Sequence, residues 1–281
     1  MIDHITEQHS DCSVRRSCKV LGFRRQTYYS RRRGHRPEEK EAEITDLLRR
    51  ACSRFVAWGF WMIFFYLRNR GELADNHKRV YRLWKQAGLN LRMPPQRPRI
   101  RRDYQALLVP QKVNQGWAMD FLSDWVVGPE KRSVRVINVM DEGSRRALWT
   151  QAHNSISSSK LIKVLDRLVD SRGAPQYIRC DNGPEFIAGR LKGWADKHGI
   201  ELRYIQPGKP SQNGLIERLN RTLRVECLNL NWFHSLDELN DSIQEWMVIY
   251  NRHRPHRNLG YKSPVDYENR KENLYFSVVA A

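Results

Sequence analysis

Three acidic residues have surroundings that suit metal-dependent chemistry. Asp120 interrupts the apolar strand pattern of residues 116–122. Asp181 follows the apolar strand pattern at 177–180, and Glu217 lies one turn into the helix predicted beyond it. A buried carboxylate is costly unless it is paired or bound to a metal, and Mg²⁺ prefers oxygen ligands. Two such ions, held by carboxylates from different elements, activate an attacking oxygen and stabilise a leaving one, so the three acids predict phosphoryl transfer.

The predicted helix that contains Glu217 separates polar from apolar positions. Asn213, Glu217 and Arg221 share one face because they are spaced four residues apart. The neighbouring buried stripe consists of Ile216, Leu219 and Leu223. Three residues are predicted to bind phosphate groups near the acids: Asn213, Arg221 and Lys209, the last in the Pro/Gly/Ser loop before the helix.

The spacing and order of several sequence words resemble one known family. Thirty-five residues lie between Asp181 and Glu217. The words are WAMDF, CDNGPEF, PGKPSQNGLIERLNRTLR and YNRHRPHRNLGYKSPVDY. Together they resemble the second-frame transposase of the insertion sequence three family, whose catalytic core is of the retroviral integrase type, over roughly residues 40 to 268. One acid alone would more often be a turn, cap or solvated residue, so the set of words carries the resemblance.

The resemblance implies a DNA transposase of a bacterial insertion sequence. Asp120, Asp181 and Glu217 would be its catalytic residues and the ligands of two Mg²⁺ ions, with Mn²⁺ as an alternative ion. Water would attack the phosphodiester at an element end, and the freed 3′-hydroxyl would then attack another phosphodiester. The implied partners are double-stranded DNA (terminal inverted repeats and target), further copies of the chain assembled on DNA, and an upstream first-frame protein.

Two alternatives stay open. A catalytically silent DNA-binding repressor derived from a transposase would keep the fold, although three intact acids argue against it. The family commonly has a basic pair after an aromatic-Gly-aromatic word, whereas Trp58-Gly59-Phe60 leads here into Trp61-Met62, and this departure favours the repressor. A nuclease for RNA–DNA hybrids would leave the basic N-terminal third unexplained.

The charge of the chain is high and unevenly distributed. The net charge is +18 over 281 residues, and 40% of the residues are hydrophobic, enough for two small folded units. Residues 1–103 contain 24 Lys and Arg against 11 Asp and Glu, whereas residues 104–281 contain 25 against 20. A basic first third indicates a polyanionic partner, most simply nucleic acid.

Residues 11–33 predict a helix-turn-helix, with helices from about Ser13 and Arg24 and a turn at Gly22. The predicted interior consists of Val14, Cys18, Val20, Leu21 and Phe23. The predicted DNA contacts are Arg24, Arg25 and Gln26 at the start of the second helix, and Arg31 and Arg32 for phosphates. A basic solvated surface is the alternative.

The predicted fold class is α/β: a mixed sheet flanked by helices, ribonuclease H-like by resemblance, preceded by all-helical helix-turn-helix units. The predicted parts are a helix-turn-helix segment at 1–34, a second helical, helix-turn-helix-like domain at 38–92, a basic Pro-rich linker at 93–111, the ribonuclease H-like integrase catalytic core at 112–230, and a C-terminal helix and tail at 231–281. The core strands are expected near 117–127, 133–140, 145–152, 176–180 and 201–206.

The five cysteines are odd in number and lack a CxxC spacing. They predict reduced thiols without a zinc site. The N-terminus has neither a basic start nor an apolar run typical of a signal peptide. We therefore expect a bacterial cytoplasmic protein associated with the nucleoid.

Overall fold

The computed structural model describes residues 13–32, 38–91, 110, 112–128, 131–183, 186, 189–206 and 210–270. The chain divides into two compact units. The helical unit is Met1–Arg54 with Asp75–Asn90, and the sheet unit is Phe55–Ala74 with Leu91–Ala281. None of the described helices is long and apolar enough to span a bilayer.

The helical unit contains four helices among the residues described: α1 (Val14–Val20), α2 (Arg25–Arg32), α3 (Glu38–Arg54) and α5 (His77–Gln86). The side chain of Ser13 caps α1 by accepting a hydrogen bond from the backbone N–H of Arg16. Between α3 and α5, Glu41 forms salt bridges with Arg79 and Arg82. The two helices predicted from Ser13 and Arg24 are thus confirmed.

Two details of the helical unit differ from the sequence expectations. Val20 and Phe23 are 76% and 44% exposed rather than interior, and Tyr28 takes the buried place beside Cys18. Helix α1 has only seven residues, so one narrow stripe of it can face α2, and Val20 falls outside that stripe. The sequence also predicts Asp75 as the N-cap of α5. The cap is instead Asn76, whose side chain accepts from Lys78 N at 2.9 Å, and Asp75 accepts from Arg79.

The sequence predicts a helix from Phe60 to Asn69, and the sheet unit contains this helix, α4 (Phe60–Asn69), with the same bounds. In the structure α4 belongs to the same compact unit as the sheet, whereas the sequence pattern groups it with the helices of residues 38–92. The predicted domain boundaries stay predictions.

In the described residues, five strands form one sheet: β1 (Gly116–Val127), β2 (Lys131–Asp141), β3 (Ala147–His153), β4 (Tyr177–Cys180) and β5 (Glu201–Tyr204). Their order is β3-β2-β1-β4-β5. The first three are antiparallel neighbours, and β4 and β5 run parallel to β1. Because antiparallel and parallel pairs occur in one sheet, the predicted mixed α/β sheet is confirmed. Each parallel strand is reached by a crossover connection, here through a helix.

Within the part of the chain that the structure describes, four helices cover the two faces of this sheet: α6 (Ser158–Arg172), α7 (Gly189–His198), α8 (Gly214–Glu226) and α9 (Leu236–Arg252). Successive strand residues point to opposite faces, so Trp117 and Met119 pack with α6 and α7, whereas Ala118 packs with α8 and α9. The predicted buried stripe of α8 is confirmed, since Ile216, Leu219 and Leu223 are at most 1% exposed.

The outer edge of β3 is covered by side chains of α9. Asn251 accepts from the backbone N–H of Ala147 and donates to its carbonyl, both at 2.9 Å. Asn240 does the same at Ala152, and Gln244 donates to the carbonyl of Thr150. Because 11 helical residues and five strand residues both span about 16 Å, the amides stay in register with the edge.

The last described helical turn, at 264–270, is anchored by a buried acid. Glu268 is 5% exposed and accepts from Ser144 Oγ at 2.8 Å and from Arg172 at 2.9 Å. Arg146 forms a second salt bridge with it. This cluster ties the C-terminal segment to the β2–β3 turn and to the end of α6.

Replacing Glu268 with Ala should lower the free energy of unfolding by about 3–5 kcal/mol, because two arginines would lose their buried partner. Glu201→Ala, which breaks an exposed pair with Arg203, should cost less than about 1 kcal/mol. Urea unfolding of the two variants measures the difference. Equal losses would contradict the anchoring role of Glu268.

Candidate active site

Asp120 lies on the central strand of the sheet and faces α8. Strand alternation gives it the same face as Ala118, and its cross-strand partner in β2 is Asn138. Asn138 is fully buried and donates from Nδ2 to Asn220 Oδ1 at 2.7 Å. Asn220, on α8, donates in turn to Asp120 Oδ2 at 2.8 Å. A chain of two amides therefore holds the carboxylate in one orientation.

The electrostatic environment disfavours the charged form of Asp120. Burial raises its pKa to about 6, and the charges of Asp181 and Glu217 act in the same direction. Hydrogen bonds from the Phe121 backbone and from the Asn220 side chain oppose this shift. The charges of Asp181 and Glu217 are thus close enough to act on Asp120.

Asp181 directly follows β4, which is parallel to β1. The register pairs Trp117 with Ile178 and Ala118 with Arg179, so two further residues along each strand bring Asp181 level with Asp120. Asp181 Oδ1 accepts from the backbone N–H of Gly183 at 2.9 Å, which closes a tight turn. The two aspartates therefore lie side by side just beyond the parallel pairing of β1 with β4.

Glu217 lies in the first turn of α8, behind the short 3₁₀ turn Pro210–Asn213. Its side chain is exposed, as predicted, and partial burial raises its pKa. In contrast, the first-turn neighbour Asn213 is 3% exposed, and its Oδ1 has no hydrogen-bond partner among the described residues.

The chemistry of these side chains fits a divalent cation, but the side chains are not gathered closely enough to hold one. Three carboxylates offer the oxygen ligands that Mg²⁺ prefers, and a cation would offset the repulsion that raises the pKa of Asp120. Among the described residues, however, no three His, Cys, Asp or Glu side chains form a group that could hold an ion. Ion binding would therefore need side-chain movement.

The other predicted contacts fall in different places. Arg24, Arg25 and Gln26 are exposed at the start of α2, and Arg221 is exposed on α8. Arg31 and Arg32 belong to the last turn of α2, and the structure describes only their backbone. Lys209 lies outside the described residues.

Sequence reasoning missed Asn138 and Asn220. Asn220 follows Glu217 by three residues, so helical spacing could have indicated a polar residue near the acids. Asn138 interrupts an apolar strand as Asp120 does, and its pairing with Asp120 depends on the register of β1 with β2.

Asp141, the other acid at a strand end, has a structural role. It is fully buried and accepts from the backbone N–H groups of Asn114 and Ser144, both at 2.6 Å. The sequence Asp-Glu-Gly-Ser at 141–144 predicts a turn, and the structure confirms it.

Replacing Asp120 with Asn should stabilise the metal-free protein by about 2 kcal/mol at pH 7–8. The folded pKa of about 6 exceeds the ordinary value of 3.8, so the stabilising effect of the protonated carboxyl is complete below about pH 4 and lost as the pH rises through about 6. Urea unfolding from pH 4 to 8 should show the advantage of the variant growing with pH. Asp241→Asn, at an exposed site on α9, should stay within about 0.5 kcal/mol; a pH-independent advantage at Asp120 would contradict the argument.

Three family models match this chain. Integrase core domain models match residues 110–210 and 198–264, and an HTH-like domain matches residues 38–97. With the sheet order, the integrase matches confirm the predicted ribonuclease H-like core. An HTH-like domain together with an integrase core implies DNA binding and dependence on a divalent metal ion.

The relatives in sequence are insertion-element proteins. A 31.7 kDa protein of insertion element IS407 from Burkholderia multivorans is 34% identical over 91% of this chain and 90% of its own length. A 39.2 kDa protein of insertion element IS476 from Xanthomonas euvesicatoria is 32% identical over 92% of this chain and 73% of its own. Transposase InsD for insertion element IS2D from Escherichia coli is 26% identical over 81% of this chain and 80% of its own.

Solved structures give weaker matches. A chain of the simian T-cell lymphotropic virus intasome in complex with the PP2A regulatory subunit B56 gamma has a TM-score of 0.48 at 18% identity, over 69% of this chain and 67% of that one. The catalytic core domain of BIV integrase has a TM-score of 0.45 at 17% identity, over 58% of this chain and 99% of that one. The assignment rests instead on the sequence relatives, which span nine tenths of both proteins in the first case: the chain belongs to the insertion sequence three family of DNA transposases, whose core is of the integrase type.

Proposed function

We propose that Asp120, Asp181 and Glu217 bind divalent metal ions together, and that the chain uses them to cut DNA at the ends of its element and join those ends to a target. The observation that carries this proposal is the parallel register of β1 and β4, which brings the two aspartates level with each other. The electrostatic coupling of Asp120 to Asp181 and Glu217 supports it.

The three side chains would divide the task of holding the ions. Asp120 and Asp181 would share two Mg²⁺ or Mn²⁺ ions, and Glu217 would hold the second. When bound, such ions activate the attacking oxygen and offset the charge on the leaving oxygen. Asn220 and Asn138 would keep Asp120 oriented as the other side chains close on the site.

Two displacements at phosphorus account for the whole reaction. In the first, a water oxygen forms a bond to phosphorus while the bond to the 3′ oxygen breaks, which frees a 3′-hydroxyl at the element end. In the second, that hydroxyl oxygen bonds to a phosphorus of the target, whose own 3′ oxygen leaves. One phosphodiester replaces another in the second step, so no covalent protein intermediate and no external energy source are needed.

The predicted DNA contacts complete the proposal. Exposed side chains at the N-terminus of a helix can enter a major groove and contact base edges, while arginines and lysines elsewhere bind phosphates. The proposed base contacts are Arg24, Arg25 and Gln26. The proposed phosphate contacts are Arg31, Arg32, Lys209, Asn213 and Arg221.

Replacing Asp181 with Asn or Glu217 with Gln should reduce cleavage of labelled element-end DNA by at least about 1,000-fold, because each removes a charged ligand from the site. DNA affinity should stay within about threefold, because the proposed DNA contacts lie on other residues. The matched controls, Asp241→Asn and Glu245→Gln, change exposed acids on α9 and should cleave normally. The assay is run with Mg²⁺, with Mn²⁺ and with chelator.

Each outcome of that assay has a defined meaning. Normal cleavage by Asp181→Asn or Glu217→Gln would overturn the catalytic assignment. Sequence-specific DNA binding by the parent protein, without cleavage in either metal, would favour the catalytically silent repressor.

We also propose that at least two copies assemble on DNA, because joining an element to a target requires both of its ends. The upstream first-frame protein is a further proposed partner, and the proposed location is the bacterial cytoplasm at the nucleoid. Light scattering with element-end DNA should give a mass of two or more protein chains per complex, and scrambled DNA should not. A single chain per complex that still joins paired ends would refute this stoichiometry.

A further inference from the structure

The sheet unit contains a cavity of about 370 Å³ beside α8, the helix that contains Glu217. One face of α8 forms a wall of it, through Leu215, Arg218 and Thr222. The segment that follows α9 forms a second wall, and the start of α4 contributes a third. Ligand pockets for small molecules measure about 300–1,000 Å³, so the space suits a single nucleotide rather than a duplex.

The lining of this cavity is basic. It includes four arginines and no carboxylate among the described residues. Arg254 is compensated by Glu226 at 2.9 Å, but Arg218 and Arg257 form no salt bridge within the part of the chain that the structure describes. Burial lowers the pKa of Arg145, and the charge of Arg218 acts in the same direction. Such a cluster favours a bound anion, and guanidinium groups match the geometry of phosphate.

A buried histidine in the lining lacks a partner. Within the described residues, His256 Nε2 is inaccessible to solvent and has no hydrogen bond. Its ring packs edge-on against Tyr250, with centroids 4.9 Å apart. Buried polar atoms are usually paired, and the donor groups on the edge of a nucleotide base are of the kind that would satisfy this nitrogen.

Flat aromatic rings adjoin the arginines. Tyr261 stacks on Phe65 with ring centroids 3.8 Å apart, and Trp61 stacks on the same ring at 6.0 Å. Asn69 donates to the carbonyl of Tyr261 at 2.8 Å, which fixes the turn behind that ring. Trp61 is 47% exposed, so it presents aromatic surface to an incoming base, and base–aromatic stacking tolerates any sequence.

Part of the apolar lining comes from the residues that depart from the family pattern. Trp61 and Met62 occupy the positions where the family commonly has a basic pair, and both line the cavity. A basic pair would add charge for phosphates, whereas the present pair adds apolar surface.

We propose that the cavity binds one unstacked nucleotide of the DNA substrate, with its phosphate against Arg218 and Arg257 and its base against Trp61 and Tyr261. The proposal rests on the proposed function, because Arg218 directly follows Glu217 on α8 and the same DNA strand would pass both. An acidic peptide would satisfy the charges, but its carboxylates offer no flat ring to stack on Trp61 and Tyr261.

The direct test is photo-crosslinking of the full chain. Element-end DNA carries 5-iodouracil at one position at a time, and the Glu217→Gln protein prevents turnover. One or two adjacent positions should crosslink to the peptides that contain Trp61 or Tyr261. Crosslinks at every position to other peptides, with none to these two, would overturn the proposal.

The second measurement is affinity for a ten-nucleotide single strand. Trp61→Ala and Arg218→Ala should each weaken binding about tenfold, whereas Trp232→Ala and Arg252→Ala, at exposed sites elsewhere, should change it less than twofold. Equal effects of all four would refute the cavity, as would an acidic peptide that binds it when the oligonucleotide does not. Melting temperatures check that each variant is folded.

The two proposals can fail separately. Cleavage by the parent protein without a crosslink in the cavity would leave the transposase function intact and remove the nucleotide site. A crosslink in the cavity without cleavage would support the site and remove the catalytic assignment.

Discussion

The candidate site is organised around a carboxylate, Asp120, that lies on the central strand of a packed sheet. A charge in that position loses hydration, and the pKa of about 6 reflects this cost. The protein offsets part of it with two hydrogen bonds, from the Phe121 backbone and from Asn220. A metal ion would offset the remainder, so the metal-free protein stores an unfavourable interaction at its own active site.

The three acids reach one region by different structural routes. Strand alternation turns Asp120 toward α8, parallel pairing brings Asp181 beside it, and the 3₁₀ turn before α8 sets the position of Glu217. Two of these routes depend on contacts between distant parts of the chain. Asp120 lies within a strand and Asp181 directly follows one, whereas Glu217 lies in an exposed helical turn.

Much of the fold could be predicted from the sequence, because its helices and strands follow clear periodic patterns. Helix α4 was predicted with its exact bounds, and the strands with bounds that differ by at most two residues. Side-chain partners were harder to predict. Val20 is apolar, so a sequence pattern predicts that it is buried. It is exposed because the seven-residue helix α1 turns only one narrow stripe toward α2. The contacts of Asn138 and the cavity at Arg218 need the sheet register and the return of the chain after α9, which no local pattern contains.

The amides of α9 that cover β3 have a consequence for assembly. An uncovered edge strand offers unpaired backbone groups with which a second sheet can pair. Here Asn240, Gln244 and Asn251 occupy those groups along the length of β3. Two copies of the chain therefore cannot pair their sheets through β3 unless α9 is first displaced from that strand. The edge strand β3 is consequently protected from the repeated sheet-to-sheet pairing that would build a fibril.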